Sequence, residues 1–238
     1  LFHGEGTLFR GNGSKYISGK WVFGKPHGPV QFYFPDNGLL QYEGGLKKLD
    51  DGSFVFQGQG TLYNQTGQSV YQGLWEDGTR SGNGTAWLED GSIYSGNWVD
   101  DYPDGKGTYL FPDGTEYEGG FIRGKKHGQG TFKEADGFVS YDGEWKDGQR
   151  FGRGRVNKRD SSSYEGDWLD GKPHGNGMFT YPDGRVYTGT MKQGLRQGLG
   201  ELRRSDGSIA YEGEWDKNLR HGKGKAYSAS GLIKFDGD

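Results

Sequence analysis

Five histidines are the first side chains to weigh as ligands or acid–base groups: His3, His27, His127, His174 and His221. A metal site or an acid–base pair needs groups that converge from different positions in the fold. Here each histidine immediately precedes a Gly-x-Gly element, or its variant Gly28-Pro29-Val30, so all five share one structural register. They read as structural residues spread along a repeat. The pattern GxxxxGK occurs at Gly19 to Lys25, Gly119 to Lys125 and Gly166 to Lys172, where a phosphate loop would next carry Ser or Thr and open a helix. Pro26, Lys126 and Pro173 stand there instead. Asp100, Asp101 and Asp104 lack the ordered oxygen-ligand spacing of a calcium loop, and without cysteine neither a thiolate metal site nor a disulfide can form. No catalytic, cofactor-binding or metal-ligating residue is predicted, and the chain is expected not to be an enzyme.

What positions these residues is a period. Tyr-x-Gly recurs at Tyr42, Tyr71, Tyr94, Tyr117, Tyr141, Tyr164, Tyr187 and Tyr211, with Phe235-Asp236-Gly237 as a last copy. From Tyr71 onward the step is 23 or 24 residues, the mark of a repeat architecture. Within a unit such as Tyr164 to Gly177, strand alternation puts Tyr164, Gly166 and Trp168 on one face. Two residues past each Gly-x-Gly stands Ala86, Tyr109, Phe132, Val156, Phe179, Leu202 or Ala226, all apolar. The prediction is two strands per unit sharing one apolar face, with slots left open by the glycines. Asp-Gly pairs at 90, 113, 136, 183 and 206 are expected to make tight hairpin turns with positive φ angles, while loops of five or six residues, such as Arg123 to His127, join the strands inside a unit. No helix is predicted.

The combination of Tyr, Gly, Trp, Gly, His and Gly-x-Gly, close to YxGxWxxGxxHGxG, resembles the MORN repeat family (membrane occupation and recognition nexus). The resemblance implies an all-β fold, an extended single-layer twisted antiparallel sheet of about ten stacked hairpins. With strands roughly 4.8 Å apart, such an array would be a rod on the order of 100 Å long. It further implies one of three roles: a cytoskeletal or axonemal scaffold, including radial-spoke components; a membrane-tethering module; or a regulatory segment of a lipid kinase or methyltransferase.

Residues 1–238 read as one continuous array, irregular over 1–70 and regular over 71–238, cut from a longer protein because both ends fall inside a unit. Among the irregularities, Tyr16 to Gly19 looks one residue too long, and Leu46 to Val55 reads as an inserted surface loop. Phe121 and Met191 take the Trp position, and Ser161 to Ser163 stands where a turn should be. Glycine at 48 of 238 residues is offset by 36 aromatics, which argues against disorder.

Charge is uneven: residues 1–119 carry 8 Lys/Arg against 15 Asp/Glu, a net −7, and residues 120–238 a net +4. A net charge of −3 disfavours nucleic acid. Candidate contacts for an anionic surface are Lys125, Lys126, Arg153, Arg155, Lys158 and Arg159; candidate partner-binding residues are Tyr117, Phe121, Tyr141, Trp145, Tyr164 and Trp168. The expected partners are other proteins of a cytoskeletal or axonemal assembly, with self-association and anionic lipid as further expectations. An intracellular location, in the cytoplasm, cytoskeleton or a cilium, is expected from the lack of a signal peptide or spanning segment.

Overall fold

Tyr-x-Gly-x-aromatic segments can hide their rings only by crossing into neighbouring strands, and the structure is built on that crossing. A computed structural model describes residues 1–237; among them are twenty strands and no helix. The chain divides into two compact units, Leu1–Gly124 and Lys125–Asp238. The first unit holds β1 (Gly4–Phe9), β2 (Lys15–Val22), β3 (Lys25–Tyr33), β4 (Leu40–Lys48) and β5 (Phe54–Tyr63). It continues with β6 (Ser69–Glu76), β7 (Thr79–Trp87), β8 (Ile93–Val99), β9 (Tyr102–Leu110) and β10 (Glu116–Ile122). The second holds β11 (Lys125–Lys133), β12 (Val139–Lys146), β13 (Gln149–Asn157), β14 (Ser163–Leu169) and β15 (Lys172–Thr180). Then come β16 (Val186–Lys192), β17 (Leu195–Arg203), β18 (Ile209–Asp216), β19 (Leu219–Tyr227) and β20 (Ile233–Gly237).

Within each unit consecutive strands pair antiparallel, and the register lines up one glycine per strand. In the second unit Gly130, Gly143, Gly154, Gly166, Gly177, Gly189, Gly200, Gly213, Gly224 and Gly237 form one unbroken row. The row has to be glycine. A Cβ added at Gly177 would come within 2.4 Å of the Tyr164 ring, which lies flat across Gly166 and Gly177. The slots expected to be open are filled by the chain's own tyrosines.

The first unit breaks the row once, and the break explains a sequence irregularity. Gly6 and Gly19 pair, but Gly19 then faces Val30, which faces Gly44. Ile17, not Tyr16, occupies the tyrosine place opposite Leu8 and Phe32. Without a ring to lie over the neighbouring strand, the space is closed by Val30, and Ile17, Trp21 and Val30 form a buried cluster. The unit is therefore of standard length, in Ile17-Ser18-Gly19 register, and not one residue longer. The insertion is also corrected: Leu46, Lys47 and Lys48 pair with Phe56, Val55 and Phe54. It lengthens β4 and β5 instead of forming a loop, because alternation sends Phe56 onto Tyr42, stacked at 3.8 Å, and Phe54 to Trp21 at 6.2 Å.

The two kinds of turn stand opposite to expectation. The join inside a unit is two residues long: Lys146 pairs with Gln149 across Asp147 and Gly148, at φ +50° and +86°, the doubly left-handed geometry that suits the twist of a hairpin. The Asp-Gly elements instead close a longer turn. At Asp113 the carboxylate accepts the Thr115 N–H at 2.9 Å, the Phe111 N–H donates to the Thr115 carbonyl at 2.8 Å, and only Gly114 is left-handed. Asp160 makes the same turn with Ser161 in the glycine place at φ +67°, so a turn is present at Ser161 to Ser163.

Candidate partner-binding surfaces

The face bearing the tyrosines is a core. Register shifts after each glycine free the carbonyl three residues past the tyrosine, and the phenol donates to it: Tyr94 to Asn97, Tyr164 to Asp167 and Tyr187 to Thr190, each at 2.9 Å. The indoles at the repeat position, Trp21, Trp75, Trp98, Trp145, Trp168 and Trp215, each donate to the glycine carbonyl of the preceding strand, as Trp168 does to Gly154 at 2.9 Å. Tyrosine and tryptophan rings then meet edge to face along the array, Tyr141 to Trp168 at 5.5 Å and Tyr164 to Trp168 at 5.3 Å. Each such pair contributes about 0.5–1.5 kcal/mol beyond its buried area. Burial pushes the Tyr71, Tyr117, Tyr164 and Tyr187 phenols up to about 12. A base roofs most of the ring pairs: the Arg150 guanidinium sits 4.8 Å from the Tyr141 ring and 5.4 Å from Trp168, and Arg196 is 4.0 Å from Trp215.

This placement locates the six aromatic candidates. Tyr117, Phe121, Tyr141, Trp145, Tyr164 and Trp168 are all buried, none more than 7 % exposed, and their rings pack on the sheet's own backbone and on one another.

The basic candidates are dispersed. Lys126 lies on the tyrosine face, 4.9 Å from the Trp145 ring, and burial, with the Arg150 charge nearby, holds its ammonium below the ordinary lysine value. Arg153 and Arg155 point to the opposite face, paired with Asp167 at 3.2 Å and Glu165 at 3.5 Å. Arg159, in a turn, pairs with Asp136 at 2.8 Å. Lys125 and Lys158 are exposed. The structure does not gather the six on one face.

That opposite face carries a second row, one residue past each tyrosine and its cross-strand partners. In the second unit it runs Thr131, Asp142, Arg155, Glu165, Met178, Thr188, Glu201, Glu212, Lys225, Asp236. In the first unit the corresponding row from Thr61 is Gln72, Thr85, Ser95, Thr108, Glu118, mostly hydroxyls and amides. Charged groups, with acids outnumbering bases, dominate the row of the second unit, and uncharged polar groups dominate that of the first.

The histidine reading agrees with the geometry: His27, His127, His174 and His221 are each the third residue of their strand, β3, β11, β15 and β19. Among the described residues no three His, Asp or Glu side chains stand close enough to hold a metal ion.

One feature escaped the sequence reading. Nine residues after the tyrosine stands a base in five hairpins, Arg80, Lys126, Arg150, Arg196 and Arg220, and after the first four the next hairpin has Trp98, Trp145, Trp168 or Trp215. Where that place is Pro103 or Pro173, the next hairpin has Phe121 or Met191. The same hairpins carry Tyr109-x-Phe111-Pro112 and Phe179-x-Tyr181-Pro182, 70 residues apart. A three-hairpin period, overlaid on the single one, was the available signal.

These features define a β-hairpin repeat protein whose glycine rows are covered by its own tyrosines. The chain belongs to the MORN repeat family, whose pattern matches residues 18–39, 71–93, 94–116, 117–138, 141–156, 164–184, 187–209 and 211–233. No curated protein sequence matches it. Among solved structures it is similar to the TCP domain of Drosophila melanogaster SAS-4 in complex with a proline-rich motif of Ana2. That likeness has 13% identity and TM-score 0.41, covering 66% of this chain and 85% of that one. It is also similar to the TCP10 domain of Danio rerio CPAP in complex with a STIL peptide, at 14% identity and TM-score 0.33, covering 81% and 97%.

Proposed function

We propose that the protein is a non-enzymatic scaffold that binds other proteins along its repeats, in a cytoskeletal or ciliary, radial-spoke-like assembly within the cell. The observation that carries the protein-binding reading is the row on the face opposite the tyrosines, where the acids Asp142, Glu165, Glu201 and Glu212 stand in fixed register with the bases Arg155 and Lys225 at strand spacing. An anionic membrane would be repelled by the four acids, which outnumber the two bases, whereas a protein with the complementary sequence of charges would be set in one register. The assembly named is the one that the family resemblance favours.

The test compares two variants of the full chain. Reversing Arg155→Glu with Glu165→Arg keeps net charge and the local ion pair but inverts the pattern; neutralising Lys125, Lys126, Arg153, Arg155, Lys158 and Arg159 removes attraction to lipid. A scaffold predicts that proximity labelling in ciliated cells recovers axonemal or cytoskeletal neighbours, and that the pattern-inverted variant loses them. Flotation with phosphatidylserine vesicles that persists at physiological salt, and vanishes only in the neutralised variant, would overturn it.

A further inference from the structure

The aromatic row of the second unit is interrupted once. Tyr141 meets Trp168 of the next hairpin and Tyr187 meets Trp215, at 5.5 and 5.4 Å, but the residue that should meet Tyr164 is Met191. The base that roofs the other pairs is here Pro173, which has no charge to lay over a ring. Beside this interruption the tyrosine face holds a groove of about 310 Å³ lined by Phe179, Tyr181, Met191, Gly194, Arg196 and Asn218. Phe179 and Tyr181 meet edge to face at 4.7 Å and form one wall. Arg196 forms the other: its guanidinium donates to the Asn218 side chain at 3.3 Å and to its backbone carbonyl at 2.7 Å, and lies 4.0 Å from the Trp215 ring. These two bonds and the ring contact hold its plane in place, so it presents a fixed guanidinium edge to the groove.

We propose that this groove is a docking site for an acidic peptide segment of a partner protein that inserts one tryptophan or phenylalanine side chain. The inference rests on the protein-scaffold reading above and names the chemistry of one contact. The ring is argued from the molecule itself: Trp145, Trp168 and Trp215 occupy the place of Met191 in the other hairpins of this unit. Within this unit only here is that bulk missing, beside a groove walled by the Phe179 and Tyr181 rings and the Arg196 guanidinium. The acidic flank is argued from charge. Lys192 and Lys217, next to the groove-lining turns at Gly194 and Asn218, are both exposed, and with Arg196 they outweigh the one charge of Asp216, since Asp183 is paired with Arg185 at 2.7 Å. Aromatic anchors seated in such pockets carry a large share of interface energy.

The chain has two methionines, and they report separately: Met191 lines the groove, while Met178 stands 41 % exposed in the row on the opposite face. Protein labelled with carbon-13 at the methionine methyls is titrated with the capped peptide DEWED and its control DEAED. The expected result is a saturable ring-current shift of the Met191 methyl with DEWED, none at Met178, and none with DEAED. Met191→Trp should abolish binding of fluorescent DEWED with the Met178 signal unchanged, and Tyr181→Ala should weaken it at least fivefold. The neutral peptide QQWQQ should bind at least threefold more weakly in low salt. A Met191 methyl unmoved at millimolar DEWED, both methyls moving together, DEAED acting equally, or phosphatidylserine vesicles moving Met191 where the peptide does not, would each overturn the proposal. Partner capture that depends on Arg155 and Glu165 would survive such a failure, and a scaffold that fails that test could still seat DEWED.

Discussion

At the scale of residues, tyrosine and glycine act as a pair across strands: the ring of Tyr164 needs two glycines, one on its own strand and one on the next. The phenol's bond to the Asp167 carbonyl at 2.9 Å is the lesser part. Tyr164→Phe should lose about 1 kcal/mol in denaturant unfolding, the net worth of one hydrogen bond. Gly177→Ala puts a methyl within 2.4 Å of the ring and should cost about 3 kcal/mol, the upper end of overpacking; equal losses would mean that the ring does not lie where the structure has it. The tyrosines also set an alkaline limit. Their folded values near 12 lie above the ordinary 10, so the stability they confer is complete below pH 10 and is lost as pH rises from 10 through 12. Tyrosinate absorbance followed against pH should therefore show a step, from the buried tyrosines, that coincides with loss of the circular dichroism of the fold. Absence of any such coincident step would contradict the burial.

At the scale of elements, each hairpin solves the same packing problem, and the first unit shows a second solution. Ile17 with Val30 replaces tyrosine with glycine, and the two halves are mutually dependent because an added Cβ at Gly19 already lies 2.8 Å from Val30. Ile17→Tyr alone should destabilise by about 2–3 kcal/mol, since its ring meets Val30. Ile17→Tyr with Val30→Gly should recover most of that loss, a coupling well beyond additivity, to be read from thermal unfolding of the four proteins. The turns divide the same way. Gly148, at φ +86°, sits in a two-residue turn that needs a left-handed residue, and Gly148→Ala should cost about 1 kcal/mol. Asp101 takes that place at φ +67° and is held by the Arg80 N–H and guanidinium at 2.9 Å; Asp101→Asn should keep those bonds, as Asn218 does with Arg196. A loss at Asp101→Asn as large as that at Gly148→Ala, in the same denaturation assay, would show that the carboxylate charge, not its geometry, holds the turn.

At the scale of the whole molecule, the two units are each built from the same kind of hairpin and differ in charge. Both bury their tyrosines, so the surfaces left to partners are the opposite face and the places where the ring row lapses. That division is why an aromatic count in the sequence overstates the exposed aromatic surface. Circular dichroism of the full chain should show strand with exciton features from coupled rings, and Trp168→Phe should diminish those features more than Phe235→Leu, because Trp168 touches two tyrosines within 5.5 Å and Phe235 is 48 % exposed.

The sequence by itself determined the repeat, the two strands per unit, the face shared by Tyr, Gly and Trp, and the single register of the histidines. All of these follow from alternation along one strand, a local property written in residue spacing. Tertiary structure decided what lies across strands. It showed which glycine a ring covers, that Ile17 rather than Tyr16 holds the tyrosine place, and that Leu46 to Val55 lengthens a hairpin because Phe54 and Phe56 find Trp21 and Tyr42. It also showed which turn is two residues long, since that depends on where pairing stops. Arg153 and Lys126 are near in sequence yet face opposite sides, so the basic group that looked like one patch is several. The groove beside Met191 comes from the same cause: a short side chain becomes a vacancy only where its neighbours from three strands stand around it.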